Sequence, residues 1–152
     1  MKRSTISILA SLMLVAVIST TATTRNDEVW FKGSTVDAIE KSLAMALRTP
    51  SPGMQASASQ VVRDLRVLLP DQGFSLLIIP LMVIVKNEDA EMPIRMVAAL
   101  ALHDLRSGKG DFAIQQMAQF AKSERLKHLC SWLTYERHQQ NTTVFKNTSN
   151  KD

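Results

Sequence analysis

The stretch that decides the fold runs from Pro93 to Arg106 and reads PIRMVAALALHDLR. Its apolar residues recur at three- and four-residue steps, as they do on one face of a helix. Pro93 suits the first turn of such a helix, because proline lacks the backbone N–H that would be unpaired there. Small residues such as Ala98 and Ala101 let a second helix approach closely. This stretch therefore predicts a helix packed tightly against its neighbours.

The end of this stretch repeats an earlier segment of the chain. Residues 98–106, AALALHDLR, align without gaps on residues 58–66, ASQVVRDLR, at an offset of 40 residues. A looser third copy lies about 32 residues after the second. In this copy Leu126-Lys127 align with Ile94-Arg95, and Cys130-Ser131 align with Ala98-Ala99. Repeats of this length indicate stacked helix pairs, each of which leaves an apolar face exposed when alone.

Helical signals extend outward from the repeat in both directions. The first predicted helix is ended by the segment Thr49–Gly53. Suitable starts for later helices are Ser51 with Pro52, Asp111 and Ser123. The pattern predicts six helices in three pairs, at about residues 34–47, 53–69, 74–85, 93–105, 112–121 and 124–137.

Residues 74–85 are nearly all apolar, so periodicity alone does not separate a buried strand from a buried helix. The many β-branched residues favour a strand, whereas Pro80 argues against a central strand. We interpret the segment as a helix, because its neighbours are helical and no second strand is available to pair with it.

The N-terminus has the layout of a secretory signal peptide. Lys2 and Arg3 precede an uncharged, mostly apolar stretch over residues 6–18, and small or hydroxylated residues follow up to Arg25. We expect cleavage near Ala22 and a protein exported to the bacterial periplasm or secreted, without stable membrane insertion. The alternative is an uncleaved anchor, for which the stretch is short. The expected organisation is a signal peptide (1–22), a linker (23–33), a helical-repeat domain (34–137) and a disordered polar tail (138–152).

The composition of the 152 residues is that of a folded chain, with 45% hydrophobic residues and 21% charged ones. The formal net charge is +4, and loss of Lys2 and Arg3 would leave 16 basic residues against 14 acidic ones. This small excess does not predict a nucleic-acid partner. Cys130 is the one cysteine, so an intramolecular disulfide is excluded.

The pattern Pro93-Ile94-Arg95-x-x-Ala98-Ala99-x-Ala101-Leu102-x-x-Leu105 resembles the second helix of a HEAT repeat. Residues 76–85, with Pro80, resemble its first helix. The resemblance implies an all-α fold: a right-handed α-solenoid of about three antiparallel helix pairs, preceded by the signal-peptide helix. It also implies that Arg95 pairs with Glu88 or Asp89 in the turn between helices, and that the protein binds other proteins.

The usual arrangements of catalytic residues are missing from the sequence, so we expect neither an enzyme nor a cofactor or metal site. His103 and Asp104 are adjacent and do not face each other on a helix. Cys130 falls at a small-residue core position and is expected to be a buried, inert thiol. The offsets also align charged residues, which we interpret as a solvated ladder rather than an anion site: Asp64, Asp104 and Glu136 with Arg66, Arg106 and His138.

The candidate site is the outward face of the second helices. If Ala58, Val61, Val62 and Leu65 face the core, the offsets place the following residues outward: Arg63, Met96, Leu100, His103, Trp132 and Tyr135. Large apolar and aromatic side chains together with arginine are typical anchors of a protein or peptide interface.

Three other interpretations of this face stay open. The same groove could join two copies in a homodimer, or Trp30-Phe31 could fill it from within the chain. The third register could also be wrong, in which case Trp132 belongs to the core.

Overall fold

The computed structural model describes the backbone of residues 33–149 and the side chains of residues 35–142. This part of the chain is all helical, as the sequence predicts. The helices are Gly33–Arg48 (α1), Pro52–Leu68 (α2), Ser75–Lys86 (α3), Met92–Asp104 (α4), Gly108–Phe120 (α5) and Glu124–Ser149 (α6). The predicted signal peptide and residues 23–32 of the linker lie outside the described residues. None of the described helices combines the length and the apolar character that a membrane span requires.

The two prolines that were informative in the sequence lie where helices accept them. Pro52 is the first residue of α2, after Ser51 in extended conformation. Pro80 lies inside α3 and is buried there, so the helical interpretation of residues 74–85 is confirmed. Its ring leaves the carbonyl of Leu76 without the usual donor four residues on. Buried apolar contacts hold the helix in spite of this loss.

The start of α5 differs from the prediction. The helix begins at Gly108 rather than after Asp111, and Ser107 is its N-cap, with its Oγ accepting from the N–H of Gly110 at 3.0 Å. Gly110 is not a helix breaker here: a Cβ at this position would lie 2.8 Å from Ser107 Oγ and 3.0 Å from Leu102 Cδ1. The glycine therefore allows close packing of α5 on α4.

The expected disordered tail is a continuation of α6, which runs to Ser149 instead of ending near residue 137. Residues 124–149 contain neither proline nor glycine, so nothing in the backbone stops the helix. Side chains also bond along it: Thr142 Oγ1 donates to the carbonyl of His138 at 2.9 Å. The polar composition indicated exposure, but it did not exclude a helix.

The helices pack in a regular order. Each odd helix contacts the even helix that follows it, α1 contacts α3, α3 contacts α5, α2 contacts α4, and α4 contacts α6. Helix α4 also contacts α5, so it touches four of the other five helices. Helix α4, which contains most of the stretch Pro93–Arg106, is thus at the centre of the described helices.

The repeat offsets match the buried positions only in part. Ala58, Ala98 and Cys130 are all buried, and so are Val62 and Leu102. Val61, which was predicted to face the core, is 42% exposed. Its counterpart Ala101 is buried because α4 has even-numbered neighbours on both sides, whereas α2 contacts only α4 in that row.

Candidate functional site

A groove of about 690 Å³ lies between α2, α4 and α6. Its walls are the last turns of α2 with the following loop, the last turns of α4, and the middle of α6. We call it the even-helix groove. Of the six predicted site residues, four line it: Arg63, Leu100, His103 and Trp132.

The other two predicted residues lie away from the groove. Met96 is partly buried and packs against the core, one turn before the groove begins on α4. Tyr135 is 62% exposed but is not part of the groove wall.

Trp132 is 54% exposed on the wall of the groove. The next residue, Leu133, fills the core position and is 1% exposed. The alternative in which Trp132 belongs to the core is therefore wrong, and the third repeat register is correct at this residue. Trp30 and Phe31, which could have filled the groove, lie outside the described residues.

Asp104 is the centre of charge in the groove. Its Oδ2 accepts from Arg63 Nε at 2.9 Å, and its Oδ1 lies 3.8 Å from His103 Nδ1. Burial raises the pKa of the carboxyl, but His103 and Arg63 outweigh burial and hold the pKa below the ordinary value of 3.8. Asp104 is thus an anion at neutral pH and anchors α2 to α4.

The expected ladder of charges forms only in part. Asp104 takes Arg63 as its partner, while Arg66 donates to two backbone carbonyls, those of Asp104 (3.1 Å) and Gln72 (3.0 Å). Asp64 accepts from Gln60 at 3.0 Å instead of from an arginine. The equal offsets placed these residues at equivalent positions, but they did not determine which neighbour each side chain reaches.

His103 is not the solvent-facing residue that the repeat predicted, because it is 7% exposed. Its Nε2 is buried and has no hydrogen-bond partner among the described residues. It borders both the groove and a smaller cavity of about 270 Å³ between α5 and α6. The last turn of α4 is covered by α6 there, which a single-helix pattern does not show.

Arg137 is a groove residue that sequence reasoning missed. Its Nε donates to Asp111 Oδ1 at 3.2 Å, and its Nη2 donates to the carbonyl of His103. The bonds join α6 to both α4 and α5. In the 32-residue offset Arg137 aligns with the apolar Leu105, so the repeat itself concealed it.

Arg95 does not pair with the turn between α3 and α4 as the resemblance implied. It is 5% exposed and its Nε donates to the carbonyl of Val85 at 3.0 Å, in the last turn of α3. Glu88 accepts instead from Lys122. A buried guanidinium favours the unpaired carbonyls at a helix end over exposed carboxylates.

The described residues offer little for covalent or metal chemistry. Burial raises the pKa of the Cys130 thiol to about 11, although the charge of Arg95 acts in the opposite direction. No group of three or more histidine, cysteine, aspartate or glutamate side chains in the described part of the chain is placed to hold a metal ion. The arrangement in the groove instead offers hydrogen bonds, charge and an exposed indole.

Comparison of the chain with family models, with curated proteins and with solved structures finds no significant match.

Proposed function

We propose that this protein is an exported helical-repeat scaffold that binds a protein or peptide in the even-helix groove. The proposed architecture is a short HEAT-like α-solenoid of three right-handed helix pairs. The order of helix contacts supports it, because odd helices contact odd ones and even helices contact even ones along the chain.

The observation that carries the proposal is the exposed indole of Trp132 in a concave site. A tryptophan with half of its surface in water has a large unused binding area, and such residues are the commonest anchors of interfaces. Leu100 backs the same groove and packs partly against the core, so the site has a fixed apolar floor. Arg63 is held in place by Asp104 beside it.

The proposal assigns binding and not catalysis to this site. Cys130, the one cysteine in the sequence, is buried with a thiol that stays protonated at neutral pH. His103 has no serine or cysteine nucleophile beside it in the groove wall.

The test places a photoactivatable aromatic amino acid, which keeps a large ring at the site, at position 132 in cells, and the same amino acid at position 135 in a control. Both positions are on the exposed surface of α6, but only the first lines the groove. We expect a discrete cross-linked partner from position 132 and none from position 135. Equal cross-linking from both positions would contradict the proposal.

Binding of that partner to purified protein then gives the strength of the contact. We expect Trp132→Ala to weaken binding at least tenfold, while its exposed side chain changes the free energy of unfolding by under about 1 kcal/mol. Tyr135→Ala should change binding less than twofold. A cross-link to a second copy, with a doubled mass in light scattering, would favour the homodimer instead.

A further inference from the structure

We infer that the even-helix groove selects an acidic peptide segment, with a carboxylate held between Arg66 and Arg106. This inference rests on the proposed function and adds the chemistry of the partner to it. It starts from the charges of the groove wall, which has four arginines and three carboxylates: Arg63, Arg66, Arg106 and Arg137 against Asp71, Asp104 and Glu136.

Two of the four arginines are already neutralised. Arg63 pairs with Asp104 at 2.9 Å, and Arg137 pairs with Asp111 at 3.2 Å on α5. These pairs fix the helices relative to one another. They leave Arg66 and Arg106 as the positive charges of the groove that have no carboxylate partner among the described residues.

Arg66 is oriented for binding without losing its charge. Its Nε and Nη1 donate to the backbone carbonyls of Asp104 and Gln72, and neither bond uses Nη2. Two bonds to neutral groups hold the guanidinium plane at the end of the groove. A carboxylate approaching it meets a fixed cation, which costs little conformational entropy on binding.

Arg106 adds an independent observation. Its φ is 51°, in the left-handed region that favours glycine, and its side chain is exposed on the groove wall. Helix α4 ends at Asp104, whereas α2 continues past the equivalent Arg66 to Leu68. Arg106 therefore leaves the helix just past its C-cap, where a left-handed residue is common, and its exposed side chain makes no hydrogen bond or ion pair with the described residues.

The remaining carboxylates of the wall indicate where the acidic group lies. Glu136 is on α6 and Asp71 is on the loop after α2, so an anion is repelled from those positions. Arg66 and Arg106 are equivalent in the repeat and lie at the ends of adjacent helices, which Arg66 joins through the carbonyl of Asp104. An apolar side chain next to the bound carboxylate would then reach Leu100 and Trp132.

The test compares three fluorescent dodecapeptides in which leucine alternates with glutamate, glutamine or lysine. We expect the glutamate peptide to bind at least tenfold more tightly than the glutamine peptide, and the lysine peptide most weakly. Arg106→Gly should remove most of the preference for glutamate, Arg106→Lys should keep much of it, and Asp71→Asn should increase it. Arg125→Ala is the control, since Arg125 is an exposed arginine of α6 outside the groove.

Arg106→Gly is expected to remain folded, because glycine adopts the observed φ without strain, and thermal denaturation checks this. If all three peptides bind equally and Trp132→Ala abolishes binding, the acidic preference is overturned while the proposed function stands. If none binds, or if Arg125→Ala weakens binding as much as Arg106→Gly, the inference is also overturned. The cross-linking experiment at positions 132 and 135 then tests the proposed function separately.

Discussion

Two residues at the junction of α4 and α5 have backbone conformations opposite to those that their residue types favour. Arg106 occupies a left-handed position, which costs a non-glycine residue about 1 kcal/mol, while Gly110 lies in a helix. Gly110 has a packing reason, because a Cβ there would collide with Ser107 and Leu102. Arg106 follows the C-cap of α4, where a left-handed residue ends many helices, and its exposed side chain lies on the wall of the groove.

The carboxyl group of Asp104 makes the free energy of unfolding depend on pH. A carboxyl whose pKa is lower in the folded state stabilises the fold fully above its unfolded pKa, near 3.8, and loses this as pH falls through the folded value. We expect Asp104→Asn to lower the free energy of unfolding by at most about 1 kcal/mol at pH 7. The difference from wild type should begin to shrink near pH 3.8 and disappear once the pH is below the folded-state pKa of Asp104, as measured by urea denaturation across pH.

Asp64→Asn is the matched control, because Asp64 is the repeat equivalent of Asp104 and has Gln60 rather than an arginine as its partner. Its effect on the free energy of unfolding at pH 7 should be small. A destabilisation by Asp104→Asn that persists unchanged at pH 2.5 would refute the assignment of this charge to the link between α2 and α4.

At the scale of the element, α3 shows how a helix without local signals is stabilised by its neighbour. Its N-cap is Phe74, which has no side-chain acceptor, and Pro80 interrupts its hydrogen bonds. Glu40 of α1 supplies the acceptor: its Oε1 accepts from the N–H of Leu76 at 2.7 Å, and Glu40 as a residue is 6% exposed. A carboxylate there also interacts favourably with the N-terminal end of the helix.

We therefore expect Glu40→Ala to lower the free energy of unfolding by about 1 kcal/mol, since it leaves the part-buried N–H of Leu76 without its acceptor. Glu40→Gln retains an acceptor oxygen and should cost less than half of that. Urea denaturation followed by circular dichroism measures both. Asp37→Ala, at an exposed position of the same helix, should cost under about 0.5 kcal/mol; an equal cost at both sites would argue against the cap.

For the whole molecule, the central position of α4 makes the six helices depend on one another. It contacts α2, α3, α5 and α6, and seven of its thirteen residues are buried, five of them apolar: Ile94, Ala98, Ala99, Ala101 and Leu102. A cavity made in this helix weakens several interfaces at once, so it should affect the entire fold rather than one pair.

Leu102→Ala tests this dependence. We expect a loss of about 3 kcal/mol in the free energy of unfolding, because Leu102 is 0% exposed and its removal leaves a cavity. Circular dichroism and tryptophan fluorescence should report the same lowered midpoint. The control Leu68→Ala, at a 68% exposed position, should change stability by under about 0.5 kcal/mol. Two separate transitions in Leu102→Ala would contradict a single cooperative unit.

The sequence alone predicted the helices and the alignment of their buried positions. Prolines such as Pro52, the period of the apolar residues and the 40-residue match are local features, and backbone geometry converts them directly into helix starts and faces. Four of the six candidate residues chosen from the sequence line one groove, whereas the sequence left open whether Trp132 belongs to the core. The start of α5 and the length of α6 were wrong, because glycine and polar residues are compatible with more than one backbone state.

Only the tertiary structure determined which side chains form hydrogen bonds and ion pairs with one another. Arg63 reaches Asp104 across 41 residues and Glu40 reaches Leu76 across 36, and no period in the sequence encodes these distances. The burial of His103 and the exposure of Arg106 likewise depend on where α4 ends and on its contact with α6. A repeat determines which residues are equivalent, but the packing of the helices determines which long side chains come into contact. Those contacts decide which charged groups of the groove remain without an ion-pair partner.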